Sequence, residues 1–232
     1  MEPETQKPTI ASVEKVTKTY HNGVPTQVLF DIDLEINRGD FTAIRGASGS
    51  GKSTLLNLVG LLDRPTSGKI FLDGKDTSTL GEDELAMMRR DYLGFIFQFH
   101  YLLPEFNVLE NALMPCRIKG KDAEEENHDR VVEMLEVVGL GHRLDHRPSQ
   151  ISGGEQQRVA VVRALANSPL LVLADEPTGD LDRKTSEAVA ELLRELNRVS
   201  ETAFLIVTHE EALAEQCDLI LDMVDGRIDG ID

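Results

Sequence analysis

Residues 46–53 read Gly46-Ala47-Ser48-Gly49-Ser50-Gly51-Lys52-Ser53, the spacing G-x-x-x-x-G-K-[ST] in full. Glycines let the backbone of such a loop wrap phosphates, with its N–H groups pointing inward. An apolar strand, Phe41–Ile44, precedes the loop, and a helix is predicted from Lys52 to Leu62. The positive end of that helix adds to the anion site. The stretch therefore predicts a nucleotide-binding loop that runs to Thr54, in which Lys52 reaches the β- and γ-phosphates and the Ser53 hydroxyl ligates Mg²⁺.

The composition is that of a globular, acidic protein. Its 232 residues include 24 Lys and Arg against 41 Asp and Glu, a net charge of −17, and 41% of them are hydrophobic. This length favours one domain, or one domain with an inserted lobe. The excess of negative charge disfavours nucleic acid as a partner, because such binding needs a basic face. Any anion site would have to be local.

No secretory or membrane-spanning segment is expected. The start Met1–Thr5 is acidic and does not resemble a signal peptide, and no apolar run approaches the roughly 18 residues that span a bilayer. Cys116 and Cys217 lack a CxxC partner, which predicts two reduced thiols rather than a zinc site or a disulfide. Five histidines share no ligand spacing and are expected to be surface or packing residues: His21, His100, His128, His142 and His146.

Apolar strands alternate with helices along the chain. Phe30–Ile36 alternates apolar and charged residues, as a strand with one wet face does. Three apolar runs predict buried strands, namely Leu93–Phe97, Leu170–Ala174 and Ala203–Val207. Helices are predicted after Ser152 to about Ala166 and from Arg183 to Val199, and hairpins at Asp73-Gly74 and between Asp218–Asp222 and Gly226–Ile228. This order predicts a mostly parallel α/β sheet.

The middle of the chain has a different, all-helical character over residues 100–155. Asn107 fits a helix N-cap with Glu110 three residues later. A second helix is predicted from Asp122 to Val138, with Gly139 as its C-terminal cap. These helices would form a lobe inserted between β-rich halves.

Two carboxylates follow the buried strand at Leu170–Ala174. Ligands bind at the carboxyl ends of strands in open α/β sheets, which is where Asp175 and Glu176 would lie. Asp175 could hold Mg²⁺ through water, and Glu176 could act as a general base toward the attacking water. Such a pair is a weak signal alone, and its combination with the phosphate loop makes it a candidate catalytic site.

A third motif relates these signals to a known family. The segment Ile151-Ser152-Gly153-Gly154-Glu155-Gln156-Gln157-Arg158 resembles the signature of ATP-binding cassette proteins, usually written LSGGQ. The other motifs of that family occur here in the family's order: the phosphate loop, Gln98 after a strand, the signature, Asp175-Glu176, the loop Gly179–Asp182, and His209 after a strand. Tyr20 matches the aromatic residue that stacks on adenine in the family. The resemblance covers nearly the whole chain.

The resemblance implies a P-loop NTPase fold for the nucleotide-binding domain. Its parts are a RecA-like parallel sheet core, an antiparallel β subdomain and an inserted helical subdomain. The core and β subdomain would take about residues 1–97 and 156–232 of a single domain, and the helical subdomain about 98–155. The implied cofactors are ATP and Mg²⁺, with Ser53, Gln98 and Asp175 toward the metal.

The resemblance also implies a homodimer that closes on ATP. Ser152, Gly153, Gly154 and Glu155 would face the nucleotide bound to the other subunit, because a helix N-terminus forms a second anion site. Asp182 would lie across the dimer interface. Glu176, His209 and Gln98 would be the catalytic residues, with Gln98 also sensing the membrane subunits.

Further segments resemble one branch of the family, the lipoprotein-releasing ATPases of Gram-negative bacteria. These segments are Phe97–Phe106, Asn107–Ala112, Gly141–Ser149 and Thr202–His209. The branch implies an ATPase at the cytoplasmic face of the inner membrane, where the Gln98–Phe106 region and the helical subdomain contact two integral membrane subunits. The alternatives are the macrolide-efflux and cell-division cassettes, which share the core motifs.

Two residues depart from the family pattern, and three other functions can be weighed against the transporter ATPase. Glu155 replaces the usual glutamine, so its side chain is expected to point away from the nucleotide. Asp180 stands where many relatives have asparagine, and little effect is expected because both can cap a turn. A chromosome- or ribosome-associated cassette is disfavoured, because such proteins carry long coiled-coil insertions or two tandem cassettes and this sequence has neither. A non-catalytic scaffold is disfavoured by Glu176 and His209, and a small-molecule kinase would not need the signature.

Overall fold

A central sheet of six strands organises the computed structural model, which describes residues 7–21 and 23–231. The strands are β1 (Thr9–Tyr20), β2 (Thr26–Asn37), β3 (Phe41–Arg45), β4 (Ser67–Leu72), β5 (Lys75–Asp76), β6 (Leu93–Phe97), β7 (Leu171–Asp175), β8 (Ala203–Val207), β9 (Leu219–Val224) and β10 (Arg227–Ile231). The order of the central sheet is β10-β9-β3-β8-β7-β6, and among these described strands β10 alone runs antiparallel to its neighbour. The other four strands form an antiparallel sheet in the order β2-β1-β4-β5.

Helices cover the central sheet and form a separate layer beside it. They are α1 (Lys52–Val59), α2 (Glu82–Tyr92), α3 (Val108–Lys119), α4 (Lys121–Val137), α5 (Gly153–Leu165), α6 (Arg183–Ser200) and α7 (Glu211–Ala214), with 3₁₀ turns at Thr77–Thr79, Gly141–Arg143 and Pro148–Gln150. The predicted parallel α/β core, the antiparallel sheet and the helical segment are confirmed. Long β1 and helix α2 are additions to what the sequence patterns predict. The hairpin at Asp73-Gly74 is confirmed, with both residues at positive φ as a type I′ turn requires.

The predicted end of α1 at Leu62 is wrong, because the helix ends at Val59. Leu61 N–H donates to Leu58 C=O (3.0 Å) and Leu62 N–H to Asn57 C=O (2.9 Å), the two bonds of a Schellman motif. Leu61 takes the left-handed position of that motif, with φ 55°. Glycine usually occupies this position, so a leucine there hides the helix end in the sequence.

The predicted C-terminal cap of α4 at Gly139 is confirmed. It is also a Schellman motif, here with glycine in the left-handed position. Gly139 has φ 77°, and Leu140 N–H donates to Leu135 C=O at 2.7 Å. The predicted start of α3 is also confirmed, since Asn107 and Glu110 form a reciprocal capping box.

Three clusters of buried side chains hold these layers together. One lies between the two sheets around α1, where Leu55 and Leu58 are fully buried. On the opposite face of the central sheet, Phe41 and Phe204 pack beneath α6 with ring centroids 5.5 Å apart. The third joins α3, α4 and α5. Residues 203–207 of β8 alternate between the first two clusters, as the twofold period of a strand requires.

Both cysteines are free thiols inside this packing. Cys116 is buried in the helical cluster, and Cys217 packs partly buried against the α6 side. Burial raises the pKa of Cys116, and it raises the pKa of Cys217 to about 12. Neither sulfur is therefore a thiolate at neutral pH, which is the form that reacts.

Candidate functional site

The phosphate loop connects β3 to α1 at the carboxyl edge of the central sheet. Gly51 adopts φ 102° and turns the chain into α1. A Cβ on Gly46 would lie 2.2 Å from Met223 C=O, so only glycine fits beside the neighbouring strand. Ala47, Ser48 and Gly49 are exposed, and Ser50 is buried. The exposed loop backbone is therefore available to a ligand at this edge.

Lys52 folds over the loop that it follows. Its Nζ donates to the carbonyl oxygens of Gly46 and Ala47, at 2.8 Å each. An ammonium group gains more from charged acceptors than from neutral ones. Phosphate oxygens brought into the loop would therefore compete well for this side chain.

Ser53 and Asp175 meet at the end of the parallel strands. Ser53 Oγ lies 3.4 Å from Asp175 Oδ1, although 122 residues separate them in the chain. Burial raises the pKa of Asp175, and the hydrogen bond from Ser53 opposes that shift. A hydroxyl and a carboxylate beside a phosphate loop suit Mg²⁺, which takes few protein oxygens together with substrate phosphates and water. The two residues therefore fit the metal.

Glu176 and His209 form a close pair beside this point. His209 Nδ1 lies 2.8 Å from Glu176 Oε2, which also accepts from the His209 backbone N–H at 3.2 Å. The hydrogen bond to Glu176 and its negative charge raise the pKa of His209. Glu176 itself has φ 48°, a strained conformation for a residue with a side chain. Such strain costs about 1–3 kcal/mol and is found most often at functional positions.

Gln98 follows β6, the strand next to β7. Its Nε2 donates to Asp180 Oδ1 at 2.9 Å, and the same side chain lies against Gly179. The carboxylate of Asp180 therefore accepts a hydrogen bond from Gln98. The sequence pattern predicts a turn cap at this position instead. An asparagine oxygen could accept the same bond. The structure therefore brings Gln98, Asp175 and Glu176 to the ends of two adjacent strands.

The signature residues form the N-terminus of α5. Ser152 caps the helix, and Glu155 Oε2 accepts from Ser152 N–H (2.7 Å) and Oγ–H (2.8 Å). Glu155 Oε1 also lies 3.5 Å from Arg143 Nε. The bonds from Ser152, backbone first, hold the pKa of Glu155 below its usual range. Its side chain is therefore turned back onto the helix end.

The other signature residues pack on the start of α6. A Cβ on Gly154 would lie 2.4 Å from Thr185 Cγ2, so a glycine is needed there, and Gly153 lies near Leu181. Asp182 caps α6 by accepting from Thr185 N–H (3.2 Å) and Oγ1–H (2.6 Å). The signature and the loop of Asp182 therefore share one surface of this chain.

Tyr20 stands apart from these groups at the end of β1. Its hydroxyl donates to Asp63 Oδ2 at 3.2 Å, and Lys18 Nζ lies 4.8 Å from its ring centroid. The ring is partly exposed. These contacts orient the ring without defining a nucleotide pocket around it.

Two residues of α5 lie near the site but are not among the candidates that the sequence patterns predict. Gln157 is 2% exposed, and its Nε2 donates to Pro177 C=O (2.7 Å) and Phe97 C=O (3.3 Å). Arg163 donates to His100 C=O (2.7 Å) and Tyr101 C=O (2.9 Å). Gln157 precedes buried Ala160, Val161 and Ala164 at helical spacing, so a polar residue on the apolar helix face is the signal that could have found it.

The chain resembles known proteins in sequence. Residues 29–179 match the protein family described as ABC transporter. The chain is 51% identical over 223 residues to the lipoprotein-releasing system ATP-binding protein LolD of Shewanella sp. strain MR-7, covering 96% of each chain. It is 50% identical over 220 residues to LolD of Pseudomonas syringae pv. tomato, covering 94% of this chain and 96% of that one.

Solved structures agree with this match. A dimeric structure of the bacterial ABC transporter cassette MJ0796 has a TM-score of 0.86 and 41% identity, covering 96% of this chain and 98% of that one. A second dimeric structure of that cassette, in a post-hydrolysis state bound to ADP and Pi, has a TM-score of 0.84 and 38% identity with the same coverage.

Proposed function

The chain belongs to the ABC transporter family, and on this premise we propose that it is the ATP-hydrolysing subunit of a transporter that releases lipoproteins from the bacterial inner membrane. The observation that carries the ATPase is the meeting of the Lys52 loop, the Ser53–Asp175 pair and the Glu176–His209 pair at one edge of the sheet. The lipoprotein cargo rests on the similarity to the LolD proteins.

ATP is held by the loop of residues 46–54, with the adenine against Tyr20. Lys52 exchanges the carbonyls of Gly46 and Ala47 for phosphate oxygens, which are charged and therefore stronger acceptors. The metal-binding residues are Ser53, Gln98 and Asp175. Bound Mg²⁺ would neutralise negative charge on the phosphates.

Glu176 is the general base, and His209 can donate a hydrogen bond either to Glu176 or to the γ-phosphate. His209 Nδ1 lies 2.8 Å from Glu176 Oε2. When His209 turns its donor to the γ-phosphate, Glu176 is free to take a proton from the attacking water. General base catalysis of this kind contributes about 10²–10⁴-fold in rate.

Two copies of the chain close around two ATP molecules. The N-terminus of α5, with Ser152, Gly153 and Gly154, contacts the γ-phosphate bound to the other copy, and Asp182 lies across the interface. A charge-assisted contact to phosphate is worth about 1.5–3 kcal/mol, so several of them bias closure strongly. ADP lacks these contacts and leaves the dimer open.

The membrane subunits dock on an apolar groove next to Gln98. The groove has a volume of about 470 Å³ and is lined by residues of α2, β6, α3 and α5, Phe97, Tyr101 and Ile118 among them. Phe99 and Tyr101 are 57% and 64% exposed with ring centroids 6.2 Å apart, and contiguous exposed apolar groups of this kind mark interaction sites. In this proposal, residues 98–155 form the helical subdomain that moves against the partners.

No helix among residues 7–21 and 23–231 is long and apolar enough to cross a membrane. In this proposal, the membrane subunits hold the chain at the cytoplasmic face of the inner membrane, by similarity to the LolD proteins. The groove beside Arg163, which ties the backbone of residues 100 and 101 to α5, is where that attachment is made.

The ATPase cycle is tested with Glu176→Gln. The variant keeps the shape of the carboxylate but cannot act as a base, so hydrolysis falls by about 10²–10⁴-fold. We expect a stable dimer with ATP and a monomer with ADP in size-exclusion chromatography with light scattering. Glu195→Gln, on the exposed face of α6, is the matched control and hydrolyses ATP normally. A Glu176→Gln chain that stays monomeric with every nucleotide would contradict the cycle.

The transporter assignment is tested by purifying the tagged chain from detergent-solubilised membranes. Mass spectrometry should identify two related membrane subunits together with lipoprotein. Recovery of an efflux subunit or of cell-wall hydrolase regulators would instead place the chain with the macrolide-efflux or cell-division cassettes. Phe99→Ser should lose the membrane subunits, whereas Val199→Ser, at a site that is 79% exposed on α6 and outside the helical subdomain, should keep them.

A further inference from the structure

One buried side chain joins the two strand ends that carry Gln98 and Glu176. Gln157 lies in the second turn of α5 with 2% of its surface exposed. Its Nε2 donates to the carbonyl of Phe97, the residue before Gln98, and to the carbonyl of Pro177, the residue after Glu176. The amide therefore bridges the last paired residue of β6, Phe97, and a residue two positions beyond the last paired residue of β7, Asp175.

The chemistry of this contact requires an amide. A carboxamide NH₂ has two N–H groups, and each of them can serve one of the two carbonyls. A carboxylate of the same size has no hydrogen to donate, and an apolar side chain would remove both bonds from a buried place. The amide thus restricts both strand ends through a single atom.

We propose that Gln157 is a positioning residue for hydrolysis, which ties the segments of Gln98 and Glu176 to the helix that begins with Ser152-Gly153-Gly154. This inference rests on the roles proposed above for Gln98 and Glu176. In the closed dimer, α5 faces the nucleotide of the other copy, while Gln157 holds the residues that act on the nucleotide of its own copy. A shift of α5 at one nucleotide is therefore passed to the catalytic groups at the other.

A second buried amide provides a matched control away from the site. Asn197 of α6 is 3% exposed, and its Nδ2 donates to the backbone carbonyls of Thr202 (2.8 Å) and Gly39 (3.2 Å). These carbonyls precede β8 and β3, at the edge of the central sheet opposite to the ends of β6 and β7. Asn197→Leu therefore removes comparable buried bonds without loosening Gln98, Glu176 or the signature.

The test compares steady-state ATP hydrolysis of the full chain with that of Gln157→Met, Gln157→Asn and Asn197→Leu. A misplacement of about 1 Å can cost about 10²-fold, so we expect kcat of Gln157→Met to fall by about 10- to 100-fold. KM for ATP should stay within about twofold, because the binding loop is untouched. Gln157→Asn, which keeps the donors on a shorter side chain, should lie between, and Asn197→Leu should match the unmodified chain.

A second measurement separates this inference from the proposed function. A chain carrying both Glu176→Gln and Gln157→Met should still dimerise with ATP, as Glu176→Gln alone does. If Glu176→Gln does not dimerise, the proposed function fails; if it does and Gln157→Met keeps its kcat, only this inference fails. Equal loss of kcat in Asn197→Leu and Gln157→Met would also overturn it. Failure of both Gln157 variants to fold would assign the amide to stability and reject the positioning role.

Discussion

Glu155 gives the sharpest test of how the signature helix is built, through the substitution Glu155→Gln. The carboxylate accepts two hydrogen bonds from Ser152, at 2.7 and 2.8 Å, and lies 3.5 Å from Arg143. Hydrogen bonds to a charged group contribute about 1.5–3 kcal/mol against about 0.5–1.5 for neutral ones. A negative charge in the first turn adds about 0.3–1 kcal/mol through the helix dipole.

The expected cost of removing this charge is about 1–2 kcal/mol in the free energy of unfolding, because the glutamine oxygen still accepts from Ser152. For a chain of this size the melting temperature should fall by about 3–6 °C. Because the carboxylate is engaged by Ser152 at the helix end, kcat for ATP should change by less than about threefold.

The pH dependence of the melting temperature tests the same reasoning. The pKa of Glu155 is lowered in the folded chain, so its stabilisation is present above the unfolded pKa of about 4.3 and is lost as the pH falls through the folded value. The difference between the two proteins should therefore be constant from neutral pH down to about 5 and close in more acidic buffer.

Glu110→Gln is the control, because Glu110 caps α3 in the same way by accepting from Asn107 N–H at 2.9 Å. It should lower the melting temperature less, since it lacks the second bond from a hydroxyl. The reasoning about Glu155 would be refuted if Glu155→Gln abolished hydrolysis while leaving the melting temperature unchanged.

Three further perturbations test the site. Lys52→Ala removes the ammonium that now holds Gly46 and Ala47, and it should weaken ATP binding by about 10- to 100-fold in a fluorescent-nucleotide titration; an unchanged affinity would contradict its role. The pKa of His209 is raised by Glu176, so this pair stabilises the folded chain fully below an unfolded pKa of about 6.5 and loses that effect as the pH rises through the folded value. His209→Ala should therefore lower the melting temperature more at pH 6 than at pH 9, and a larger loss at pH 9 would be the wrong sign. Asp180→Asn retains an oxygen acceptor for Gln98, so its kcat should stay near that of the unmodified chain, whereas Asp180→Ala should lower it.

Local sequence patterns predict most of the elements that position the site. The phosphate loop, the buried strands and the caps at Asn107 and Gly139 are readable because each depends on residues within a few positions of one another. The end of α1 is not readable, because Leu61 takes a conformation in which glycine is the usual signal.

Contacts between residues that are distant in the chain cannot be predicted from these local patterns. The pattern of strands and carboxylates places Asp175 and Glu176 at a sheet edge, but the pairing of Glu176 with His209, 33 residues away, follows from the adjacency of β7 and β8. Gln157 reads as an ordinary polar residue until its helix is packed against Phe97, 60 residues earlier in the chain.

The amino-acid sequence thus carries the fold class and the order of the nucleotide-binding motifs, since glycine conformation, helix capping and strand periodicity are short-range properties. Tertiary packing alone brings the Gln157 amide to the carbonyls beside Gln98 and Glu176, and the Ser53 hydroxyl to Asp175. The reason is physical: these partners are chosen by which strands and helices lie next to each other, and no local pattern records that adjacency.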